Sequence, residues 1–377
     1  MRQRNLAAAI AFAIFACLFF STSLVAQTPT ATPTATPRPA DVDEGVIKVS
    51  SRLVVVPVSI TDSNGQPVQG LTINDFRIAE EGRAQKIENV GTADAVPLDI
   101  ALLFDVSAST DAMFRFQQQT AAQFLRDVMR PADRATIYTI GQKAALIQGR
   151  DTAERSIESV TTITPTKGAT AFFDSVREAA NYLRTNSPEG RRRVIVVISD
   201  GEDNFSVGVQ RAGRLTETNI TTAKGDTDFK KLGSLIVAAQ QKAKGAERQK
   251  VARALQDADT VFYSINPAGS SYKLNQISLF GQENMQIFAD QTGGSAFIPR
   301  FAPIDTRDEY ANSSNAKRNQ AALELIFRQL ANELRAQYLV QYYSESEYPQ
   351  GRFVKLDVGL QNSAGRRIRA RQGYYAK

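Results

Sequence analysis

Apolar runs of strand type alternate with helical patterns through the middle of this 377-residue chain, and this alternation limits the fold more than any other feature. The runs "LDIALLFDVS", "RATIYTIG", "RRVIVVISDG" and "TVFYSINPAG" are mostly apolar, and "AALELIFRQLANELRAQ" has apolar residues at helical spacing. Strands that are apolar on both faces are typical of a parallel sheet covered by helices on both sides. The sequence therefore predicts a doubly wound, mostly parallel α/β fold over residues 97–335.

Two segments of a different kind flank this region, at residues 46–95 and 338–377. In the first, Val54, Val56, Val58 and Ile60 alternate with other residues and share one strand face. The second contains "YLVQYY", "FVKLDVGL" and "RRIRARQGYY", separated by turn residues. Because neither segment has enough strands for a stable core, we expect them to pack together as one small β-sandwich-like domain.

The first 45 residues do not resemble either domain. Arg2 and Arg4 precede an apolar stretch and the small residues "STSLVA", which is the pattern of a secretory signal peptide over residues 1–26. A membrane anchor and lipidation of Cys17 are the alternatives. Residues 27–45 contain "TPTATPTATPRP" and are predicted to be an extended linker. The mature chain is therefore expected to be exported, as a periplasmic, cell-surface or secreted protein without a membrane span.

The amino-acid composition excludes several kinds of catalytic and metal-binding site. The chain has no histidine and one cysteine, Cys17, which lies inside the predicted signal peptide. Disulfides, thiol catalysis, Ser-His triads and zinc sites built on Cys or His are thus excluded for the mature chain. The net charge of +6 comes from basic residues spread along the sequence, so nucleic acid is not an expected partner.

Oxygen-bearing side chains follow two of the apolar strands. Asp105, Ser107 and Ser109 come at the end of "LLFDVSAST", Asp200 ends "VIVVISD", and Thr170 lies at a loop-to-helix junction in "KGATAFFD". The carboxyl ends of parallel strands share one sheet edge, where ligands of such folds bind. Two carboxylates and three hydroxyls suit a hard cation, Mg²⁺ or alternatively Mn²⁺ or Ca²⁺, which would neutralise the paired negative charges. Each piece taken alone also fits a helix cap or a turn.

These motifs, Asp-x-Ser-x-Ser at 105–109 with Thr170 and Asp200, resemble the metal-ion-dependent adhesion site of von Willebrand factor A domains. The resemblance covers residues 97–335, and the whole ordered chain is similar to exported bacterial proteins described as VWFA-related. It implies a Rossmann-like A domain with a complete metal site. It also implies a protein partner that presents an Asp or Glu to the bound cation, as in integrin-type A domains.

Charge supports the same function, because neutral hydroxyls leave a bound cation electrophilic and able to accept a carboxylate. We therefore expect an adhesion-type binding module that is not an enzyme. The alternatives are an envelope scaffold without metal-dependent binding and a metal-assisted hydrolase, for which Asp203 or Asp111 would be the candidate base.

Residues 201–231 are polar and contain several glycines, and we expect them to form a loop inserted beside the metal site. This loop is a candidate for partner contact with an acidic surface. Its candidate contact residues are Asp203, Arg211, Arg214, Lys224, Lys230 and Lys231. A variable insertion of no consequence is the alternative.

Overall fold

The computed structural model describes residues 52–107, 111–166, 168–223, 229–267, 276–302 and 308–376. The predicted signal peptide, the predicted linker and the first residues of the N-terminal β segment lie outside these ranges. Within them, no helix combines the length and the apolar character that crossing a membrane requires.

The secondary structure is as follows. The strands are β1 (Arg52–Thr61), β2 (Phe76–Glu80), β3 (Arg83–Ala84), β4 (Ile87–Thr92), β5 (Leu98–Asp105), β6 (Arg134–Ile140), β7 (Ala144–Asp151), β8 (Arg192–Ile198), β9 (Thr260–Ile265), β10 (Ala296–Phe297), β11 (Tyr338–Ser344), β12 (Phe353–Leu360), β13 (Arg367–Ala370) and β14 (Gly373–Tyr375). The helices are α1 (Asp111–Val128), α2 (Ala153–Thr162), α3 (Phe172–Asn186), α4 (Val207–Ala223), α5 (Phe229–Asp257), α6 (Gln276–Thr292) and α7 (Glu309–Ala336).

The central sheet has six strands in the order β10-β9-β8-β5-β6-β7. All neighbouring strands are parallel except β7, which is antiparallel to β6. In β5, Ile100, Leu102 and Phe104 face the core formed with α1, α2 and α7. Ala101 and Leu103 face the opposite core, formed with α3, α5 and α6. Both faces of the sheet are therefore buried, as continuous apolar strands require.

Two four-stranded antiparallel sheets make up the β domain, in the orders β13-β1-β11-β4 and β14-β12-β2-β3. In the first sheet, β1 lies between β11 and β13, so an N-terminal strand pairs with C-terminal strands on both sides. In the second, β2 pairs with β12. Val54, Val56, Val58 and Ile60 are all buried in the shared core. The predicted fold class, a doubly wound α/β sheet plus a small β domain from both ends, is confirmed.

The predicted loop over residues 201–231 is wrong, because α4 and the start of α5 occupy most of it. Gly208 and Gly213 allow close helix packing, whereas Gly201, before α4, has a positive φ of 77° as in a turn. A Cβ at Gly213 would lie 2.9 Å from the side-chain nitrogen of Gln240 on α5, and one at Gly208 would lie 2.0 Å from the Glu247 carboxylate. Only contacts with a helix distant in sequence reveal this use of glycine.

The last predicted strand, residues 366–375, is divided between the two sheets. β13 pairs with β1, whereas β14 pairs with β12. The chain changes sheets between them, where Arg371 forms a bridge with Thr292 at the end of α6 and Gln372 N donates to the carbonyl of Gln291. The β domain is thus attached to α6 of the α/β domain.

Candidate metal centre

The candidate site lies where β5 and β8 end side by side. Phe104 and Ile198 are paired in the parallel ladder, so Asp105 and the Ser199-Asp200 pair leave the sheet at the same edge. Thr170, just before α3, is brought to this edge by the segment that follows Asp200. Its amide donates to Asn204 Oδ1 at 2.7 Å, and its carbonyl accepts from the amide of Asn204 at 3.0 Å. The structure therefore brings Asp105, Thr170 and Asp200 to one edge of the sheet.

Asp105 is held by hydrogen bonds to both of its carboxylate oxygens. Oδ1 accepts from the amide of Ser107 at 2.9 Å and from its hydroxyl at 2.6 Å. Oδ2 accepts from the hydroxyl of Ser199 at 2.6 Å. Burial raises the pKa of Asp105, and the negative charge of Glu202 acts in the same direction, whereas the hydrogen bonds from Ser107 and Ser199 oppose the shift.

Asp200 has a carboxylate in a similar electrostatic environment. Its Oδ1 accepts from the amide of Glu202 at 3.0 Å. Burial raises the pKa of Asp200 to about 6, and the negative charges of Asp105 and Glu202 add to the shift. Among the described residues no Lys or Arg forms an ion pair with Asp105 or Asp200. Mutually repelling carboxylates without a basic partner fit a cation.

The remaining predicted ligands are hydroxyls. Ser107 is half-buried and Thr170 is buried. Ser109 lies outside the described residues. In the part of the chain that the structure describes, no group of three or more His, Cys, Asp and Glu side chains is arranged to hold a metal. A cation at this edge would therefore depend on hydroxyl oxygens together with the carboxylates of Asp105 and Asp200.

Three features of the site were missed by the sequence analysis. Ser199 is buried and bridges the site, since its hydroxyl donates to Asp105 and accepts from the amide of Gly201 at 3.0 Å. The negative charge of Glu202 raises the pKa of both Asp105 and Asp200. α6 supports the loop from behind, because a Cβ at Gly281 would lie 2.7 Å from the carbonyl oxygen of Asp200. Ser199 and Glu202 flank Asp200 in "ISDGED", which was the available signal.

The predicted partner contacts fall into two groups. Asp203 is only 2% exposed, so it does not face a partner. Its Oδ2 accepts from the amide of Phe173 at 2.9 Å and from the Ser206 hydroxyl, and its Oδ1 accepts from the Ser206 amide. It thereby joins the starts of α3 and α4, and burial raises its pKa. The remaining candidates are basic: Arg211, Arg214, Lys230 and Lys231 are exposed on α4 and α5, and Lys224 lies outside the described residues.

The family model for the von Willebrand factor type A domain matches residues 100–202. This range contains Asp105, Ser107, Thr170 and Asp200, and it runs from β5 to the loop after β8. No curated protein matches the chain. The match covers less than half of the chain; together with the sheet order described above, it supports a von Willebrand factor type A domain in this region.

Several solved structures are similar at low identity. Proximal thread matrix protein 1 from the mussel byssus is 13% identical over 68% of this chain and 50% of that chain, with a TM-score of 0.38. Another structure of that protein, with a TM-score of 0.36, has a zinc-occupied MIDAS motif. BatB from Bacteroides thetaiotaomicron is 12% identical over 61% and 97% of the two chains, with a TM-score of 0.33. The PilB minor pilin from Streptococcus sanguinis is 13% identical over 67% and 64%, with a TM-score of 0.40.

The present chain thus spans half of the mussel protein and 64% of the pilin. All these TM-scores lie below 0.5, so the domain assignment depends on the family match and on the sheet topology.

Proposed function

We propose that this chain is an exported protein-binding module whose A domain holds a divalent cation and, through it, an acidic side chain of a partner. The cation ligands in this proposal are Asp105, Ser107, Ser109, Thr170 and Asp200. One observation carries the proposal: two half-buried carboxylates leave neighbouring strands at the same edge, and no described basic side chain pairs with them.

The chemistry of the ligands favours Mg²⁺, with Mn²⁺ and Ca²⁺ as alternatives, because every proposed ligand atom is oxygen. A bound cation would supply a positive centre that a partner's carboxylate oxygen can join. Asp105 is already oriented by Ser107 and Ser199, and the backbone of Thr170 is fixed by Asn204. These contacts would hold the ligands in place before a cation arrives.

Binding is favoured over catalysis. Asp203, one of the two candidate bases, is buried and already accepts hydrogen bonds from Phe173 and Ser206. The side chain of the other candidate, Asp111, lies outside the described residues. The exposed basic residues Arg211 and Arg214 on α4 support a partner with an acidic surface. The proposed location outside the cytoplasm rests on the signal-peptide pattern of residues 1–26.

Metal binding is tested by thermal unfolding of the purified protein with and without Mg²⁺. A ligand that binds only the folded state stabilises it by about 2.7 kcal/mol at one hundred times its Kd. We expect Mg²⁺ to raise the Tm of the wild type and to leave the Tm of Asp200→Ala unchanged. Asp127→Ala, at an exposed position near the end of α1, serves as the control and should respond like the wild type. An equal response in Asp200→Ala would rule out this site.

Partner binding is tested with envelope fractions across a magnesium titration. Retention should rise with Mg²⁺, fall with chelator, and fall to a similar degree in Asp200→Ala. If retention of the protein on envelope fractions changed neither with Mg²⁺ nor with the substitution, the protein would instead be a scaffold without metal-dependent binding.

A further inference from the structure

Exposed apolar side chains lie directly beside the candidate metal edge. Phe205 is 38% exposed and Val207 is 66% exposed, although both residues are large enough to pack in a core. The amide of Phe205 donates to the carbonyl of Thr170 at 3.0 Å. The amide of Val207 donates to Oδ2 of Asp174, in the first turn of α3, at 2.8 Å. The backbone of both residues is thus fixed against the Thr170–α3 junction.

α4 continues this surface away from the metal edge. Residues 207, 211, 214 and 215 lie on one face of a helix, because residues three or four positions apart are neighbours there. All four are exposed, and their order is apolar, basic, basic, apolar: Val207, Arg211, Arg214 and Leu215. The eight-residue step from Val207 to Leu215 spans about 12 Å. We call Phe205, Val207, Arg211, Arg214 and Leu215 the α4 stripe.

The α4 stripe lies on a helix that packs against α5, in a segment with more basic than acidic residues. Val209 and Gly213, on the opposite face of α4, are buried, and Gly213 packs closely against Gln240 of α5. Residues 207–257, which include both helices, contain ten basic and five acidic residues. The segment therefore has an excess of five positive charges, and Arg211 and Arg214 are exposed on its α4 part. Such a surface attracts acidic segments and suppresses basic ones.

We propose that the α4 stripe binds the residues that neighbour the partner's metal-binding carboxylate in its sequence. This inference rests on the proposed function and adds the chemistry of the partner to it. The docking segment carries an Asp or Glu for the cation and, close to it in sequence, a Leu, Ile, Val or Phe that packs against Phe205 and Val207. Further acidic residues face Arg211 and Arg214. A carboxylate alone would give the metal little selectivity, whereas partial burial of one large apolar side chain changes affinity about tenfold.

The test uses a displayed library of random dodecapeptides, selected on the purified protein in Mg²⁺. We expect enriched peptides to contain an Asp or Glu, a large apolar residue within a few positions of it, and additional acidic residues. The best synthetic peptide should bind about tenfold more weakly to the double variant Phe205→Ser with Val207→Ser. The matched control, Leu146→Ser with Ile147→Ser, removes two exposed apolar side chains from β7 and should leave binding unchanged.

Charge is tested in the same way. Arg211→Glu with Arg214→Glu should weaken the peptide at least tenfold, whereas Arg83→Glu with Lys86→Glu, the same charge change in the β domain, should not. Mg²⁺-dependent peptides that lack the apolar neighbour and bind all variants equally would overturn this inference and leave the proposed function standing. Peptides that bind equally well in chelator and to Asp200→Ala would overturn both.

Discussion

Ser199 shows how much one hydroxyl contributes to the candidate metal centre. It is buried, donates to Oδ2 of Asp105 at 2.6 Å and accepts from the amide of Gly201. Ser199→Ala leaves that carboxylate oxygen without this donor, so we expect a loss of about 1.5–3 kcal/mol in the free energy of unfolding, the usual range for a hydrogen bond to a charged group. Because Asp105 would also be less well oriented, the variant should bind Mg²⁺ more weakly. Urea unfolding and calorimetric Mg²⁺ titration measure the two effects.

Ser175→Ala is the matched control, since Ser175 is equally buried but donates to the carbonyl of Ala171. It should lose less stability and keep the Mg²⁺ affinity. If Ser199→Ala bound Mg²⁺ as tightly as the wild type, Ser199 would have no part in orienting the site.

The sequence predicted Asp105, Thr170 and Asp200 because each is a polar residue at the end of an apolar strand or the start of a helix. The contact between Ser199 and Asp105 depends on the register of β5 against β8, which no local pattern contains. The burial of Asp203 was also missed, because it depends on contacts between segments. Phe173 lies in the first turn of α3, and Ser206 directly precedes α4.

At the scale of elements, the close approach of α6 to the metal edge fixes the loop after β8. Gly281→Ala would place a Cβ 2.7 Å from the carbonyl oxygen of Asp200 and 2.9 Å from the amide of Glu202. Backbone atoms cannot yield as a flexible side chain does, so we expect a loss of about 1–3 kcal/mol in stability. Because the strain falls on Asp200, Mg²⁺ affinity should fall as well, in the same calorimetric titration.

Gly245→Ala is the control for this prediction. Gly245 lies inside α5 and has nothing within 4 Å of an added Cβ. Alanine there should stabilise the protein by about 0.5–1 kcal/mol, because it restricts the unfolded chain and favours helix. If Gly281→Ala cost no more stability than substitutions at exposed positions of α6, the loop would adapt without strain.

Helix α4 could not be predicted from the local sequence pattern. The elements of the central sheet were predicted because they are long and periodic, whereas α4 is polar and its glycines looked like loop residues. Its helical state depends on α5, against which Gly208 and Gly213 pack. Local composition therefore pointed to a loop, and packing between distant segments decided otherwise.

At the scale of the whole molecule, a buried carboxylate lies between the A domain and the β domain. Glu333 on α7 accepts from the Ser295 hydroxyl at 3.0 Å, and Arg369 on β13 lies 3.8 Å away. Burial raises the pKa of Glu333, and the charge of Arg369 and the hydrogen bond from Ser295 oppose this shift. The folded state thus holds a proton at pH values where the unfolded state, with a Glu pKa of about 4.3, has lost it.

It follows that the Glu333 contribution to stability is present below pH 4.3, about the unfolded pKa, and is lost as pH rises toward the folded pKa. Relative to Glu333→Gln, the wild type should lose stability over this interval, as measured by urea unfolding in chelator from pH 4 to pH 7. The raised pKa values of Asp105, Asp200 and Asp203 affect both proteins equally, so the difference isolates Glu333. The exposed control Glu324→Gln should follow the wild type. Parallel profiles for Glu333→Gln and the wild type would contradict the prediction.

The β domain requires both ends of the chain, because β1 is paired on one side with β11 and on the other with β13. Deleting residues 338–377 removes both neighbours of β1 and also removes β12 from β2. The remaining strands cannot bury Val56 and Val58, which are fully buried in the intact domain. We therefore expect rapid protease cleavage between residues 52 and 95 in the truncated protein, with cleavage sites read by mass spectrometry.

A point variant separates this effect from a general consequence of shortening the chain. Val340 is fully buried in β11 and pairs with Val56 and Val90, so Val340→Asp places an unpaired carboxylate between β1 and β4. It should open the same 52–95 segment to protease in a chain of full length. Tyr343→Asp, on the exposed side of the same strand, should leave the segment protected. Because the A domain has its own cores on both faces of the central sheet, β5 and β8 should stay protected from hydrogen exchange in all variants. Full protection of residues 52–95 in the truncated protein would show that the N-terminal strands fold without the C-terminal ones.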